Sequence, residues 1–439
     1  MVKDVVSVKY KEHDVGAASF NTETGIGSFE FEPRFIKTGI ELSPIKMPLS
    51  PKIYSFPEAD PAAFNGLPGM LADSLPDDFG NAVLNAWIAS QGKLPADITP
   101  IQRLRYTGKR GMGALTYHPA TQIKNLNVSQ HIEIQSLVSI AQEILDKRER
   151  FRIDLGAQGE EDKEAMMELL SVGVSAGGAR PKAILAFNDD FTQVRSGQTD
   201  VPEGFTHFIM KFDGVSEHNK DKETFGDPMG YGTMEYVYHL MAKECGIEMM
   251  PCRLLDEGNR RHFITQRFDR DGNEKRHVQT LNGLAHVSYK KAGLYSYAEL
   301  FTIARELKLS SDDAMQIFKR MVFNIVARNH DDHSKNFGFM LDDQYHWQLA
   351  PAYDLVYSYK PKSYWVGSHW MKLNGKRDNF TREDFYSLGK LSSLFSKHKI
   401  DQIIDETTEH VSKWNSLAAE NCVPHSLIEL IGSNLRLTI

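Results

Sequence analysis

At 439 residues the chain is too long for a single core and implies two or three domains. Hydrophobic residues at 41% and charged residues at 25% are ordinary for a globular protein in water, and no run of about 18 apolar residues exists to cross a bilayer. A net charge of −7 excludes nucleic-acid binding by bulk electrostatics, so any such contact needs a local basic patch or a partner.

The opening stretch, MVKDVVSVKYKEHD, lacks the apolar core of a signal peptide. The three cysteines, Cys245, Cys252 and Cys422, show no CxxC spacing. Both features point to free thiols in a reducing cytoplasm, with no membrane partner.

Residues 1–125 begin with short strands, VVSVKY and then GIGSFEFEP, with turn residues between them. A Pro- and Gly-rich loop leads to a helix from about Asp78 to Gln91, ended by Gly92 and Pro95. The run GKRGMG (108–113) reads as a turn, since no strand–helix unit surrounds it. A second helix is expected from Gln130 to Glu149, with Ile132, Ile134, Leu137, Ile140, Ile144 and Leu145 apolar at helical period. It closes in KRERFR, a solvated charged end.

A Gly-rich turn followed by a strand is expected in SVGVSAGGARPKAILAF (171–187), and THFIMKF (206–212) reads as another strand. The 213–232 segment is the best candidate for a mobile loop. A helix from about Met234 to Cys245 is closed by Gly246, and RRHFITQRFDR gives a strand running into a polar turn. From Ser296 onward the pattern is mostly helical. Ser310 and Asp313 form a capping box for a helix carrying Met315, Phe318, Met321, Val322, Ile325 and Val326 on one face.

That helix leads into NHDDHSKNF (329–337), which crowds two histidines, two acids, a lysine and two amides into nine positions. A strand-like NFGFML follows, then a turn of two acids and Gln344, then YHWQLAPAYDLVYS. A polar surface turn is the plain reading of the cluster. A divalent-metal hydrolase would use His330, Asp331 and His333, but His239, His262, His277 and His286 are not spaced as companion ligands. The third reading is a phosphotransfer loop. In protein kinases an Asp that orients the substrate hydroxyl and a metal-binding Asn five positions on share one loop, and a second metal-binding Asp follows a hairpin. Asp331, Asn336 and Asp354 repeat that spacing and order, and Lys335 stands where it could meet phosphoryl charge.

Upstream, SAGGARPK (175–182) offers glycines for a phosphate cradle, without the Gly-Lys-Ser/Thr ending of a P-loop. An ordinary hairpin turn is equally compatible. Lys211 sits in an apolar strand, where an unpaired lysine costs desolvation. Gln266 to Phe268 would present backbone groups to adenine between two lobes. Glu235 is either the carboxylate partner of Lys211 or a solvent-facing helix residue.

These motifs, with FNGLPGMLADSLPDDFG (64–80), HFIMKF, QRFDR, DDHSKNF and APAYDLVYS in the same order, make the chain resemble the HipA family of bacterial serine/threonine kinases. That family supplies the toxin half of HipBA-type toxin–antitoxin modules. The resemblance implies a bilobal, protein-kinase-like α+β fold with an additional amino-terminal subdomain (1–125), a small lobe (126–269) and a mostly helical large lobe (270–439). It implies Asp331 as the catalytic residue, and Mg²⁺ on Asn336 and Asp354. ATP would lie among Gly177, Gly178, Ala179, Arg180, Pro181, Lys182, Lys211, Gln266, Arg267, Phe268, His333, Ser334, Lys335, Asn336, Tyr353 and Asp354. Ser175 would be the autophosphorylated serine, whose phosphate ejects the loop from the nucleotide site. The chain departs from the commoner family pattern at Arg180–Pro181, where Gln-Glu is often seen, and Pro181 removes a backbone donor. Gln266 likewise stands where a glutamate is familiar.

The implied substrate is an aminoacyl-tRNA synthetase, most familiarly the glutamyl enzyme, whose modification brings growth arrest and drug tolerance. The implied partners are a HipB-like helix-turn-helix antitoxin dimer and, through it, operator DNA. LNGKRDNF (373–380) matches the family's DNA contact, making Lys376 and Arg377 the DNA-binding candidates. Two other classes stay open: a catalytically silent co-repressor, and a small-molecule phosphotransferase sharing the same loop spacing.

Overall fold

A computed structural model describes residues 4–123, 126, 132–147, 169–170, 173, 180–216 and 226–439. The chain divides into two units, one of Met1–Leu42, Met47–Gly232 and Pro251–Val278, the other of Ser43–Lys46, Thr233–Met250 and Gln279–Ile439. Helices and strands mix in an α+β arrangement. Among the described residues no helix is long and apolar enough to cross a membrane.

The first unit opens with β1 (Asp4–Tyr10), β2 (His13–Asn21), β3 (Ile26–Phe31), β4 (Ile53–Tyr54) and β5 (Leu115–His118). They form one antiparallel sheet in the order β4-β3-β2-β1-β5. Alternation in β1 buries Val6, Val8 and Tyr10. Between the two expected strands lies a third, β2, rather than turn residues alone. Gly16, Ala17 and Ala18 give it weak strand propensity, which hides it in the sequence.

Helix α1 (Asp78–Ser90) lies where it is expected, with Asp77 as its N-cap. Helix α2 (Pro100–Thr107), which periodicity does not mark, starts on a Thr99/Gln102 capping box. The helix expected from Gln130 is present as α3 (Ile134–Lys147), and ahead of it the Ile132 N–H donates to Val194 O at 3.1 Å.

Three further strands follow, β6 (Lys182–Asn188), β7 (Val194–Ser196) and β8 (Phe205–Lys211). The expected mobile loop has a short ribbon at its base, β9 (Val215–Ser216) on β10 (Gly226–Asp227), while 217–225 lie outside the described residues. With β11 (Cys252–Glu257) and β12 (Arg260–Gln266) the second antiparallel sheet is complete, ordered β11-β12-β8-β6-β7. Its Ala183, Leu185, Phe187, Phe208, Met210 and Ile264 share one core with Phe79 and Val83 of α1 and Leu137 and Val138 of α3. The polar turn after β12 forms another ribbon, β13 (Arg270–Asp271) on β14 (Glu274–Lys275).

Three buried histidines should make this unit acid-sensitive. Burial pushes His207, His262 and His277 each down to about 4. His262 Nδ1 accepts from the Asp213 N–H at 2.9 Å, which only a neutral ring can do, and His277 Nε2 meets Leu42 O at 2.8 Å. A depressed histidine pKa means the unfolded chain binds more protons, so this stability is complete above about pH 6.5 and is lost as pH falls toward about 4. Each site contributes on the order of 3 kcal/mol across that window. Thermal melts from about pH 7.5 down to about 4.5 should therefore show a falling Tm, less steep in His277→Gln. A Tm flat across the window would contradict the assignment.

The second unit is mostly helical, with α4 (Tyr231–Glu244), α5 (Tyr297–Glu306), α6 (Ser311–Val326), α7 (Lys397–Ser412), α8 (Trp414–Glu420) and α9 (His425–Asn434). Beside them β15 (Val278–Thr280), β16 (Gly338–Leu341) and β17 (Trp347–Leu349) form a small sheet. The expected capping box opens α6, with reciprocal bonds between Ser310 and Asp313. Phe318, Met321, Val322, Ile325 and Val326 of that helix are buried as its apolar face requires, while Met315 is half-buried. This core helix delivers the chain into the 329–337 loop.

Candidate active site

Arg328 leaves α6 through a left-handed turn at φ 57°, and the loop that follows is fixed by its own polar residues. The Asn329 amide donates to Asn324 Oδ1 at 2.9 Å and to the Asp354 carbonyl at 3.3 Å, tying the loop to the segment beyond the β16–β17 hairpin. The His330 N–H donates to Ser358 O at 3.1 Å on the same seam. A short turn over Ser334–Asn336 brings the Asn336 side chain back, and its Nδ2 donates to the Asp331 carbonyl at 2.7 Å. The Asn336 amide oxygen takes no part in that bond. Asp354 sits in the left-handed region at φ 53°, an unfavourable state for a non-glycine residue held by the bond from Asn329.

The two adjacent acids have opposite environments. The Asp331 side chain is 41% exposed, with His333 Nε2 at 3.7 Å. Asp332 is fully buried and accepts from Tyr297 OH at 2.6 Å, His369 Nδ1 at 3.1 Å and Trp370 N at 2.7 Å. Asp331 can meet a substrate, and Asp332 anchors the loop. His333 lies edge-on to Tyr289 and Trp370, Lys335 Nζ stands 4.3 Å from the Tyr289 ring, and Tyr353 OH donates to Lys335 O at 2.8 Å. The Ser334 hydroxyl donates to Val287 O at 2.6 Å.

His330 is buried between the His369 and Tyr359 rings, and burial, with His369 and Arg328 nearby, drives its pKa far down. A ring enclosed in this way is badly placed for a solvent-accessible metal. Among the described residues no group of three or more His, Cys, Asp or Glu side chains could hold a metal ion. Asn336 and Asp354 instead suit a cation that takes one or two protein oxygens and completes its shell from phosphate, as Mg²⁺ does.

In the first unit, Ser175, Gly177, Gly178 and Ala179 lie outside the described residues. Arg180 lies 5.9 Å from the Tyr231 ring, and Pro181 O accepts from Phe212 N at 3.2 Å. Lys182 and Lys211 are direct partners across β6 and β8. Lys211 is buried, 5.9 Å from the Phe263 ring, whereas Lys182 Nζ is 3.2 Å from Asp77 Oδ2. Gln266 is half-buried at the end of β12 and leads into Arg267 and Phe268. The Arg267 guanidinium, expected beside ATP, is buried on Asp269 with bonds of 2.8 and 2.7 Å, and its backbone N–H donates to His207 O. A nucleotide contact there would fall to its carbonyl. In the second unit Glu235 is 4% exposed, which removes the solvent-facing alternative.

Lys376 and Arg377 follow a turn with Asn374 at φ 51° and Gly375 at φ 78°, a pair suited to the tight hairpin that joins Leu373 to Lys376. Both cations are engaged: Lys376 Nζ meets Asp384 Oδ2 at 2.8 Å, and Arg377 Nε donates to His369 O at 2.6 Å. Lys376 stays 46% exposed, and Arg377 is half-buried.

Asn329 and Asp332 lie in the 329–337 cluster and Asp77 in the 64–80 motif, but the sequence gives no role to any of them or to Asn324. A polar Asn324 among the apolar residues of α6 is the one local signal that could flag its role, since a buried amide needs a partner.

Comparison with known proteins identifies the family and the fold. Residues 6–118 match the HipA N-terminal domain, and residues 174–414 match the HipA-like C-terminal domain. A chain of the Shewanella oneidensis MR-1 toxin–antitoxin complex of HipA, HipB and operator DNA has the same fold. It is 16% identical, with a TM-score of 0.65 over 98% of this chain and 95% of that one. A candidate kinase of Haemophilus influenzae is 24% identical over 227 residues, 45% of this chain and 66% of that protein. Candidate kinase Y4mE of Sinorhizobium fredii is 26% identical over 126 residues, 26% of this chain and 30% of that protein. The chain thus spans less than two thirds of the length of either curated relative. Fold and loop define an α+β protein of the kinase-like class. The chain belongs to the HipA family.

Proposed function

We propose that the chain is an ATP-dependent serine/threonine protein kinase, the toxin of a type II toxin–antitoxin module. The observation that carries this reading is the Asn336 bond to the Asp331 carbonyl at 2.7 Å, which sets an exposed carboxylate and a metal-suited amide in one loop. The Asp331 carboxylate orients the acceptor hydroxyl and takes its proton. The hydroxyl oxygen bonds to the γ-phosphorus, the bond to the bridging oxygen breaks, and ADP leaves. Asn336 and Asp354 would hold Mg²⁺, which neutralises charge on the phosphate oxygens. Residues 177–182, Lys211, Gln266–Phe268, His333–Asn336 and Tyr353 would surround ATP, in a small lobe of 126–269 and a large lobe of 270–439, with 1–125 as the added subdomain.

The proposed substrate is a cytoplasmic aminoacyl-tRNA synthetase, the glutamyl enzyme first among them. A HipB-like helix-turn-helix dimer is the proposed antitoxin. It carries the chain to operator DNA, where Lys376 and Arg377 would add phosphate contacts that position without reading bases. Autophosphorylation of Ser175 would place nearly two negative charges in the nucleotide loop and switch the kinase off.

Incubation with Mg-ATP followed by peptide mass spectrometry tests the proposal. Phosphate is expected on Ser175 in the wild type and not in Asp331→Ala. Phosphate at another residue would overturn the loop switch, and none on any residue or synthetase would overturn the kinase.

A further inference from the structure

Within the second unit, a row of aromatic rings runs from Asp331 out to solvent. His333 Nε2 lies 3.7 Å from the Asp331 carboxylate, and the His333 ring stands edge-on to Trp370 at 6.0 Å. Trp370 in turn stacks on Trp365 at 5.6 Å, and Tyr364 meets Trp365 edge-on at 5.1 Å. Exposure climbs along the row: Trp370 is 4% exposed, Trp365 43% and Tyr364 66%. Single exposed apolar side chains are ordinary, but here two large aromatics adjoin and one stacks on a buried third. The phosphoryl transfer described above uses neither Trp365 nor Tyr364.

The row is held at both ends. The Trp370 N–H donates to Asp332 Oδ1 at 2.7 Å, tying the inner tryptophan to the residue next to Asp331. At the outer end the Ser363 hydroxyl accepts the Trp365 and Val366 N–H groups at 3.1 and 3.3 Å. The Gly367 N–H donates to Ser363 O at 3.0 Å, and a Cβ on Gly367 would stand 2.4 Å from that oxygen. Only glycine closes the turn that presents both aromatics. Rings fixed in advance lose little entropy when a partner packs on them, and Trp and Tyr so placed dominate binding surfaces.

Continuity with Asp331 decides the occupant. A small-molecule site is concave and encloses its ligand, whereas this row leads outward and is more exposed at each ring. It suits an extended chain whose hydroxyl meets Asp331. Followed through the ring contacts, Trp365 lies within roughly 17 Å of Asp331, the span of about five extended residues. We infer that Trp365 and Tyr364 are specificity-determining residues, docking an apolar or aromatic side chain of the acceptor polypeptide within about five positions of the phosphorylated hydroxyl. The inference rests on the kinase reading. His333 keeps its place beside ATP, and only the two outer rings are assigned to the acceptor.

A degenerate library of serine-centred peptides, phosphorylated with Mg-ATP, tests it. The wild type should enrich aromatic or large aliphatic residues at a position within about five of the serine. For the preferred peptide, Trp365→Ala should raise KM about tenfold or more, with kcat within about twofold and the enrichment lost. Tyr364→Ala should act in the same direction, and Trp365→Phe should recover most of the loss. A merely structural Trp365 would lower Tm and kcat together and leave the selected position unchanged, which would overturn the inference. Should Trp365→Ala fail to fold by circular dichroism, Tyr364→Ala, at the outermost ring, carries the test. Unchanged KM and enrichment in the folded variants overturn it too. So does a variant that changes only the sedimentation of the chain, which would make the row a contact between copies. If the wild type phosphorylates itself or peptides with no apolar preference, the docking surface fails and the kinase stands. If it transfers no phosphate, both fall.

Discussion

Asp331→Ala is expected to lower phosphate transfer by about 10²–10⁴-fold, the usual contribution of a positioned acid–base group, while leaving Tm within about 2 °C of wild type. The side chain is 41% exposed and, among the described residues, meets only His333, at 3.7 Å, so no buried partner is orphaned by its removal. The bond that shapes the loop runs from Asn336 to the Asp331 backbone carbonyl, and alanine keeps that carbonyl. Asp332→Ala makes the contrast. It leaves Tyr297, His369 and the Trp370 N–H without their shared acceptor inside the unit, so it should lower stability and activity together. Initial rates with Mg-ATP, measured beside thermal melts, separate the two acids. Undiminished transfer in Asp331→Ala would remove the kinase assignment.

What can be read from sequence here is local. The α6 capping box, the α1 boundaries and the Asp342 turn between β16 and β17 all depend on residues within a few positions of one another. The spacing of Asp331, Asn336 and Asp354 is legible for the same reason, since one loop and one hairpin set it. Burial is not legible. Asp331 and Asp332 are neighbours in sequence, and the difference between them is made by Tyr297, His369 and Trp370, more than thirty positions away. Arg267 reads as part of a nucleotide-binding segment, and only the fold shows its guanidinium turned onto Asp269. Strand β2 stays hidden because its glycine and alanines serve close packing, with a Cβ on Gly16 placed 2.1 Å from Glu30 O, at the expense of strand-like composition.

Asp269→Ala is expected to destabilise the first unit by about 3–5 kcal/mol, the cost of removing one partner from a buried ion pair. Asp269 is fully buried and accepts from Arg267 Nε at 2.8 Å, Arg267 Nη2 and Arg270 Nη1 at 2.7 Å, and Gly113 N at 2.9 Å. Burial works to raise its pKa, but the Arg267 and Arg270 guanidiniums and their hydrogen bonds outweigh it and hold the carboxyl below its usual range. A depressed carboxyl contributes stability above its unfolded pKa and loses it in acid, so the loss in Asp269→Ala should be constant from about pH 5 to about 8. That pH behaviour separates it from the histidine effect, which grows below about pH 6.5. Alanine would strand both guanidiniums and release the 108–113 turn, since Gly113 N donates to this carboxylate and Gly111 O accepts from Arg270 at 3.2 Å. A unit of this size loses about 2–4 °C of Tm per kcal/mol, so a drop of roughly 6–20 °C is expected in calorimetry. Asp269→Asn keeps the shape and some acceptors and should fall between. A Tm within about 2 °C of wild type for Asp269→Ala would mean that solvent enters to stabilise both arginines, and that the 108–113 turn is held by other contacts.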